Sequence, residues 1–88
     1  MQQTVWIPAL HRDLAGGAET VIVEANTIGE VIDQLEAKFP GFAARLSEDG
    51  KMRANIAVAI NGEITHRGLR QNLTEPSEVH FIPALSGG

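Results

Sequence analysis

Cysteine is missing from all 88 residues of this chain. Its absence removes disulfides, thiolate catalysis and thiolate metal ligands together. Basic charge is also short: seven Lys and Arg stand against eleven Asp and Glu, a net charge of −4. That is the wrong sign for a binder of phosphate backbones, and it sets nucleic acid and anionic membrane surfaces aside. No apolar run approaches the roughly 20 residues of a membrane span. Met1 to Leu10 has no basic start leading into an apolar stretch, so no signal peptide is expected and the expected location is cytoplasmic. Length is limiting as well. A chain this short makes one domain that buries only roughly 60–65% of its unfolded surface. A deep pocket ringed by catalytic groups would compete with the core for the same few positions.

The residues that are present are those of an ordinary globular domain, 43% hydrophobic and 20% charged. Thr4-Val5-Trp6-Ile7-Pro8-Ala9 predicts a strand, with Val5, Ile7 and Ala9 on one face and Thr4 and Trp6 on the other. Pro8 has no N–H for a ladder, so pairing is expected to end near it. Gly16-Gly17 marks a turn, and a second strand is expected from Glu19 to Glu24, making a hairpin with a long loop.

Thr27-Ile28-Gly29-Glu30 fits a capping box, with Thr27 as N-cap and Glu30 reaching back. Ile28, Val31, Ile32, Leu35 and Phe39 then form one apolar stripe at helical spacing, and Pro40-Gly41 ends it. A short helical turn is expected from Phe42 to Leu46, followed by a polar loop from Ser47 to Gly50. Asn55 to Ile60 alternates, with Ile56, Val58 and Ile60 facing one way and Ala57 and Ala59 the other. Asn61-Gly62 is a strong short hairpin signal, and Glu63 to His66 is the returning strand. Gly68 to Ser77 predicts an irregular connection anchored by Leu69 and Leu73. Val79 to Pro83 predicts a last strand, with Val79 and Phe81 on one face. The order predicts a two-layer α+β domain, a mixed sheet of four to five strands packed on one main helix.

Beyond that strand lies Ala84-Leu85-Ser86-Gly87-Gly88, which has no hydrophobic pattern. The expected organisation is therefore a domain over residues 1–84 and a flexible tail over 85–88. Two glycines at the end arise by chance in roughly one chain in 200. His11, His66 and His80 are dispersed without metal-ligand or catalytic spacing, and solvated or turn-capping roles are expected for them. Gly16-Gly17 opens no helix and no Gly-Lys-Ser/Thr follows, so it is not a phosphate loop. Glu30, Asp33, Glu36 and Lys38 are a solvated helix face. Arg67 and Arg70 lie near the final connection, and nothing in the sequence commits them to an acidic partner surface.

The element order, the first strand running into Leu10-His11-Arg12, the Thr27–Glu30 helix start and the Asn61-Gly62 hairpin together resemble the ubiquitin-like β-grasp. The segment Val79-His80-Phe81-Ile82-Pro83-Ala84-Leu85-Ser86-Gly87-Gly88 is the most specific part. The whole chain resembles the MoaD/ThiS sulfur-carrier family. Within that family, Ile7-Pro8, Gly16-Gly17 and Ile82-Pro83-Ala84 look most like the CysO-type carriers of cysteine biosynthesis. Glu75-Pro76-Ser77-Glu78 departs from the acidic Gly-Asp turn of many relatives.

The resemblance implies a protein cosubstrate with no catalytic residues, metal site or bound cofactor of its own. An E1-like adenylyltransferase/sulfurtransferase would use ATP and Mg²⁺ to adenylate the Gly88 carboxylate. Sulfur would then displace AMP, and the thiocarboxylate would serve a sulfur-accepting biosynthetic enzyme. Cysteine synthesis ranks first as the pathway, then molybdopterin, where the chain would be a synthase small subunit, then the thiamin thiazole. Gly87 and Gly88 carry the chemistry: lacking Cβ atoms, they make an end thin enough to thread a partner's channel. With no cysteine, any sulfur carried cannot sit on a side-chain thiol. Trp6, Ile82, Leu85 and Ser86 are candidates for partner docking, on a face that Ala57 and Ala59 keep flat. Two readings of another kind stay open: a ubiquitin-like modifier conjugated through Gly88, and a plain interaction domain.

Overall fold

A computed structural model of the chain describes residues 1–83. The elements run β1 (Gln2–Trp6), a 3-10 turn (Ala9–His11), β2 (Thr20–Glu24), α1 (Ile28–Lys38) and α2 (Phe42–Leu46). They continue through β3 (Ser47–Glu48), β4 (Lys51–Met52), β5 (Ile56–Ile60), β6 (Glu63–Thr65), a second 3-10 turn (Gly68–Arg70) and β7 (Glu78–Pro83). The first strand starts and stops earlier than the sequence predicts. Regular pairing runs from Gln2↔Glu24 to Trp6↔Thr20, and Pro8, with no donor to give, opens the 3-10 turn instead.

The main sheet has five strands in the order β2-β1-β7-β5-β6. The first and last strands lie side by side at its centre and are its parallel pair, with Thr4↔Glu78, Val5↔Val79 and Trp6↔His80 in register. β5 runs antiparallel to β7, from Ile56↔Pro83 to Ile60↔Val79. The β5–β6 hairpin turns on Asn61-Gly62, both at positive φ (51° and 88°). Asn tolerates that region and Gly is unhindered there, as a two-residue primed turn requires. The Asn61 side chain also accepts a hydrogen bond from the Glu78 N–H, tying this hairpin to the last strand.

Alternation along the strands sends Val5, Val23, Val58, Val79 and Phe81 inward, where they are buried with Ile28, Val31, Ile32 and Leu35 of α1. Each such side chain contributes about 1.5–3 kcal/mol of transfer free energy. Phe42 and Leu46 of α2 and Leu73 complete the core, and Phe39 and Leu69 pack on it half-buried. Thr27 caps α1 by accepting the Glu30 N–H at 3.1 Å. The return bond differs from a strict capping box, because the Glu30 carboxylate takes the N–H of Asn26 at 2.8 Å. At the other end, Glu36 accepts the N–H groups of Gly41 and Ala43, which hold its carboxyl below the usual range and secure the entry to α2.

One stretch read as loop in the sequence is a strand pair. Ser47 to Gly50 is part of a small antiparallel hairpin, Ser47↔Met52 and Glu48↔Lys51, turned by Asp49 and Gly50 at positive φ. Its strands are too short to show any alternation. Gln3 is fully buried on β1 (0% exposed). Its amide donates to the carbonyls of Ala25 and Glu75 and accepts the Ser77 N–H at 2.7 Å. With its polar atoms satisfied it closes the 75–77 connection onto the central strand.

Candidate functional site

The helix covers one face of the sheet and leaves the other open. Pairing sets the outward residues in rows. One row across the five strands reads Thr20, Trp6, His80, Ala59 and Ile64; a second includes Ile22, Thr4 and Glu78, and a third Ala57 and Ile82. Ile22, Ile64 and Ile82 are 51%, 49% and 44% exposed. The face thus carries one exposed isoleucine in each row, on the two edge strands and on β7.

Trp6 sits near its centre. Its indole stacks on the His80 imidazole, ring centroids 5.3 Å apart and planes 8° from parallel. Its Nε1–H donates to the Glu78 carboxylate at 2.8 Å. A half-buried indole with its polar edge satisfied presents a flat, rigid surface, and little side-chain freedom is left to lose on contact. Ala57 and Ala59 add no bulk beside it. The sequence expectation that Trp6 and Ile82 share one face with these alanines holds.

His80 was not singled out from the sequence, where a solvated or turn-capping role was expected. Its place beside Trp6 depends on a parallel register between segments 74 residues apart. The one available signal was the two-residue alternation of the last strand, which places Glu78, His80 and Ile82 on one side. His11 departs further from that expectation. It is 4% exposed, packed edge-on against Phe42 with centroids 6.0 Å apart. Burial and then the Arg45 charge lower its pKa below 6.5, with Asp13 opposing them. His66 is exposed. Among the described residues, no three His, Asp or Glu side chains converge to hold a metal ion, and no helix is long and apolar enough to cross a membrane.

Where β7 ends, a groove of about 270 Å³ runs beside it, lined by Trp6, Pro8, Arg12, Ile82 and Pro83 among others. The Arg12 Nε–H donates to the Ile7 carbonyl at 3.2 Å, which holds its guanidinium at this edge. The end of β7 at Ile82 and Pro83 thus borders an apolar groove with one cation on its wall. Leu85, Ser86, Gly87 and Gly88, the other residues singled out from the sequence, lie outside the described residues.

A five-stranded mixed sheet with adjacent parallel first and last strands, crossed on one face by a single long helix, defines a ubiquitin-like β-grasp domain. The chain belongs to the ThiS family, whose model matches residues 5–88. It is 33% identical, across all of both chains, to the sulfur carrier protein CysO of Mycobacterium tuberculosis. It is 38% identical over 64 residues, 70% of each chain, to small archaeal modifier protein 3 of Haloferax volcanii. A chain in the crystal structure of the Amycolatopsis orientalis BexX/CysO complex superposes with a TM-score of 0.91 at 32% identity, covering 98% of this chain and 99% of that one.

Proposed function

We propose that this chain is a sulfur carrier whose reactive group is the Gly88 carboxylate. The observation that carries the reading is a family match that runs to Gly88 itself, joined to full-length similarity with a protein named for sulfur carriage. The α-carboxyl has an unperturbed pKa of about 3.3–3.7, so near neutral pH it is an anion able to attack the α-phosphate of ATP. Pyrophosphate leaves and an acyl-adenylate forms. Sulfide, or the terminal sulfur of a persulfide, then attacks the acyl carbon, and AMP departs with the C–O bond electrons. A persulfide donor needs one further thiol or reductant to release the sulfur. The product is a C-terminal thiocarboxylate.

ATP and Mg²⁺ belong to the activating E1-like adenylyltransferase/sulfurtransferase in this scheme, and the carrier binds neither. Trp6 and Ile82, with Leu85 and Ser86 ahead of the glycines, form the docking surface for that enzyme and for the sulfur-accepting biosynthetic enzyme. A relative crystallised in a binary complex supports the idea that such carriers work by forming complexes on demand. Cysteine synthesis is the preferred destination, because the full-length relative is CysO; molybdopterin and the thiamin thiazole follow.

Intact-mass spectrometry tests the reading directly. The untagged chain is incubated with ATP, a sulfide source and the adenylating enzyme of the same genome. The expected result is a mass gain of one oxygen-to-sulfur exchange, lost when Gly88 is deleted. An unchanged mass with an active enzyme removes the sulfur-carrier reading. A second reading, conjugation through Gly88 to lysines of other proteins, draws on the similarity to small archaeal modifier protein 3. Isopeptide-linked adducts in cells, with no free thiocarboxylate, favour it.

A further inference from the structure

Lys51, Arg53, Arg67 and Arg70 are four of the seven Lys and Arg of an acidic chain, and the fold gathers them at one end. The β3–β4 hairpin and the second 3-10 turn enclose a hollow of about 310 Å³, whose lining includes Lys51, Met52, His66, Arg67, Leu69 and Arg70. No Asp or Glu lines it. On the hairpin, Glu48 is held by Arg53 at 3.3 Å, and Asp49 occupies the turn. Among the described residues, Lys51, Arg67 and Arg70 make no ion pair. All three are exposed, while Met52 and Leu69 are half-buried. The site is thus a cationic rim over an apolar floor.

Its position matters as much as its charge. Residues 53–55 lead from β4 into β5, whose first residue, Ile56, is paired with Pro83 at the end of β7. A neighbouring hollow of about 290 Å³ shares Met52, His66 and Gly68 with the basic one and is also lined by Ala57 and Ile64 of the outward face. The basic hollow therefore adjoins the part of the outward face that carries Ala57 and Ile64. Like charges concentrated this way repel one another, and on a chain of net charge −4 they make a local positive field that steers an anionic partner into one orientation.

We propose that Lys51, Arg67 and Arg70 form a docking site for an acidic segment of the protein that receives the Gly87-Gly88 tail. The proposal rests on the sulfur-carrier reading for the partner's identity and on the structure for its chemistry. Nucleic acid is disfavoured as occupant. The chain as a whole is anionic, and the cations surround one hollow where a phosphate backbone needs an extended stripe.

The first test is fluorescence anisotropy of a labelled glutamate-rich decapeptide titrated with the full chain at low salt. Binding is expected, weakened about tenfold or more by Arg67→Glu with Arg70→Glu and by added salt, and unchanged by Lys38→Glu on α1. No binding by the wild type, equal weakening by Lys38→Glu, or tighter binding of a single-stranded RNA decamer overturns the proposal. The second test uses the activating enzyme: the double variant should raise KM for the carrier about tenfold at unchanged kcat. An unchanged KM overturns the proposal, whereas a wild-type chain that is never adenylated strikes the sulfur-carrier reading and leaves the peptide result to decide the docking site.

Discussion

The two faces of the sheet are built from the same strands, yet they obey different constraints. Inward, Val5, Val58, Val79 and Phe81 meet the apolar stripe of α1, and each position is set by the volume of its neighbours. Outward, Trp6, His80 and Ile82 meet solvent, and no packing within the domain requires an indole stacked on an imidazole there. Side chains on the inner face hold the fold. Those on the outer face are free to be selected for what approaches them, and this chain places its single tryptophan there.

Substitutions that fall on one face or the other test that division. The largest effect is expected inside. Leu35, fully buried on α1, should cost about 2–5 kcal/mol when changed to Ala, read as a lower urea midpoint at an unchanged slope. A loss below about 1 kcal/mol would mean the helix is not locked to the sheet as described. Next comes Trp6→Glu on the outer face. It should leave the urea midpoint within about 1 kcal/mol of wild type and raise KM for adenylation about tenfold. Normal adenylation would sink the docking role, and unfolding would show that the two faces are not separable.

The smallest effect concerns His11, buried among inward residues. Its folded pKa lies below its unfolded value of about 6.5, so the neutral form is preferred in the native state. The stability this contributes is complete above about pH 6.5 and declines as pH falls through that value toward the folded pKa. Urea midpoints at pH 7.5 and pH 5.5 should therefore differ more for the wild type than for His11→Leu, which cannot charge. Equal differences would place the acid sensitivity elsewhere in the chain.

What the sequence disclosed depended on whether a signal was local. The Thr27 cap, the stripe from Ile28 to Leu35, the stop at Pro40-Gly41 and the Asn61-Gly62 turn are encoded within a few residues, and each appears where the spacing predicts. Asp49-Gly50 carries the same kind of turn signal as Asn61-Gly62. Its flanks, Ser47-Glu48 and Lys51-Met52, hold only two residues each, too few to show the alternation of a strand. Gln and His are surface residues by type, yet Gln3 and His11 are buried. Their burial is decided by partners at Glu75, Ser77 and Phe42, distant in the chain. The candidate face was half legible: alternation placed Trp6 and Ile82 outward, but the stack with His80 and the tie to Glu78 exist only once β1 and β7 lie parallel. The basic hollow was legible only in part: Arg67 and Arg70 stand near each other in the sequence, but Lys51 joins them only once the β3–β4 hairpin lies beside the second 3-10 turn.

The central position of β7 has a mechanical consequence. The strand is held along one edge by β1 and along the other by β5. A pull applied to the end of β7 along the strand axis would therefore load both ladders at once. Both ladders resist together, in shear, and no bond can open singly as it would in a peeled edge strand. Such a load would fall on the central strand of the sheet.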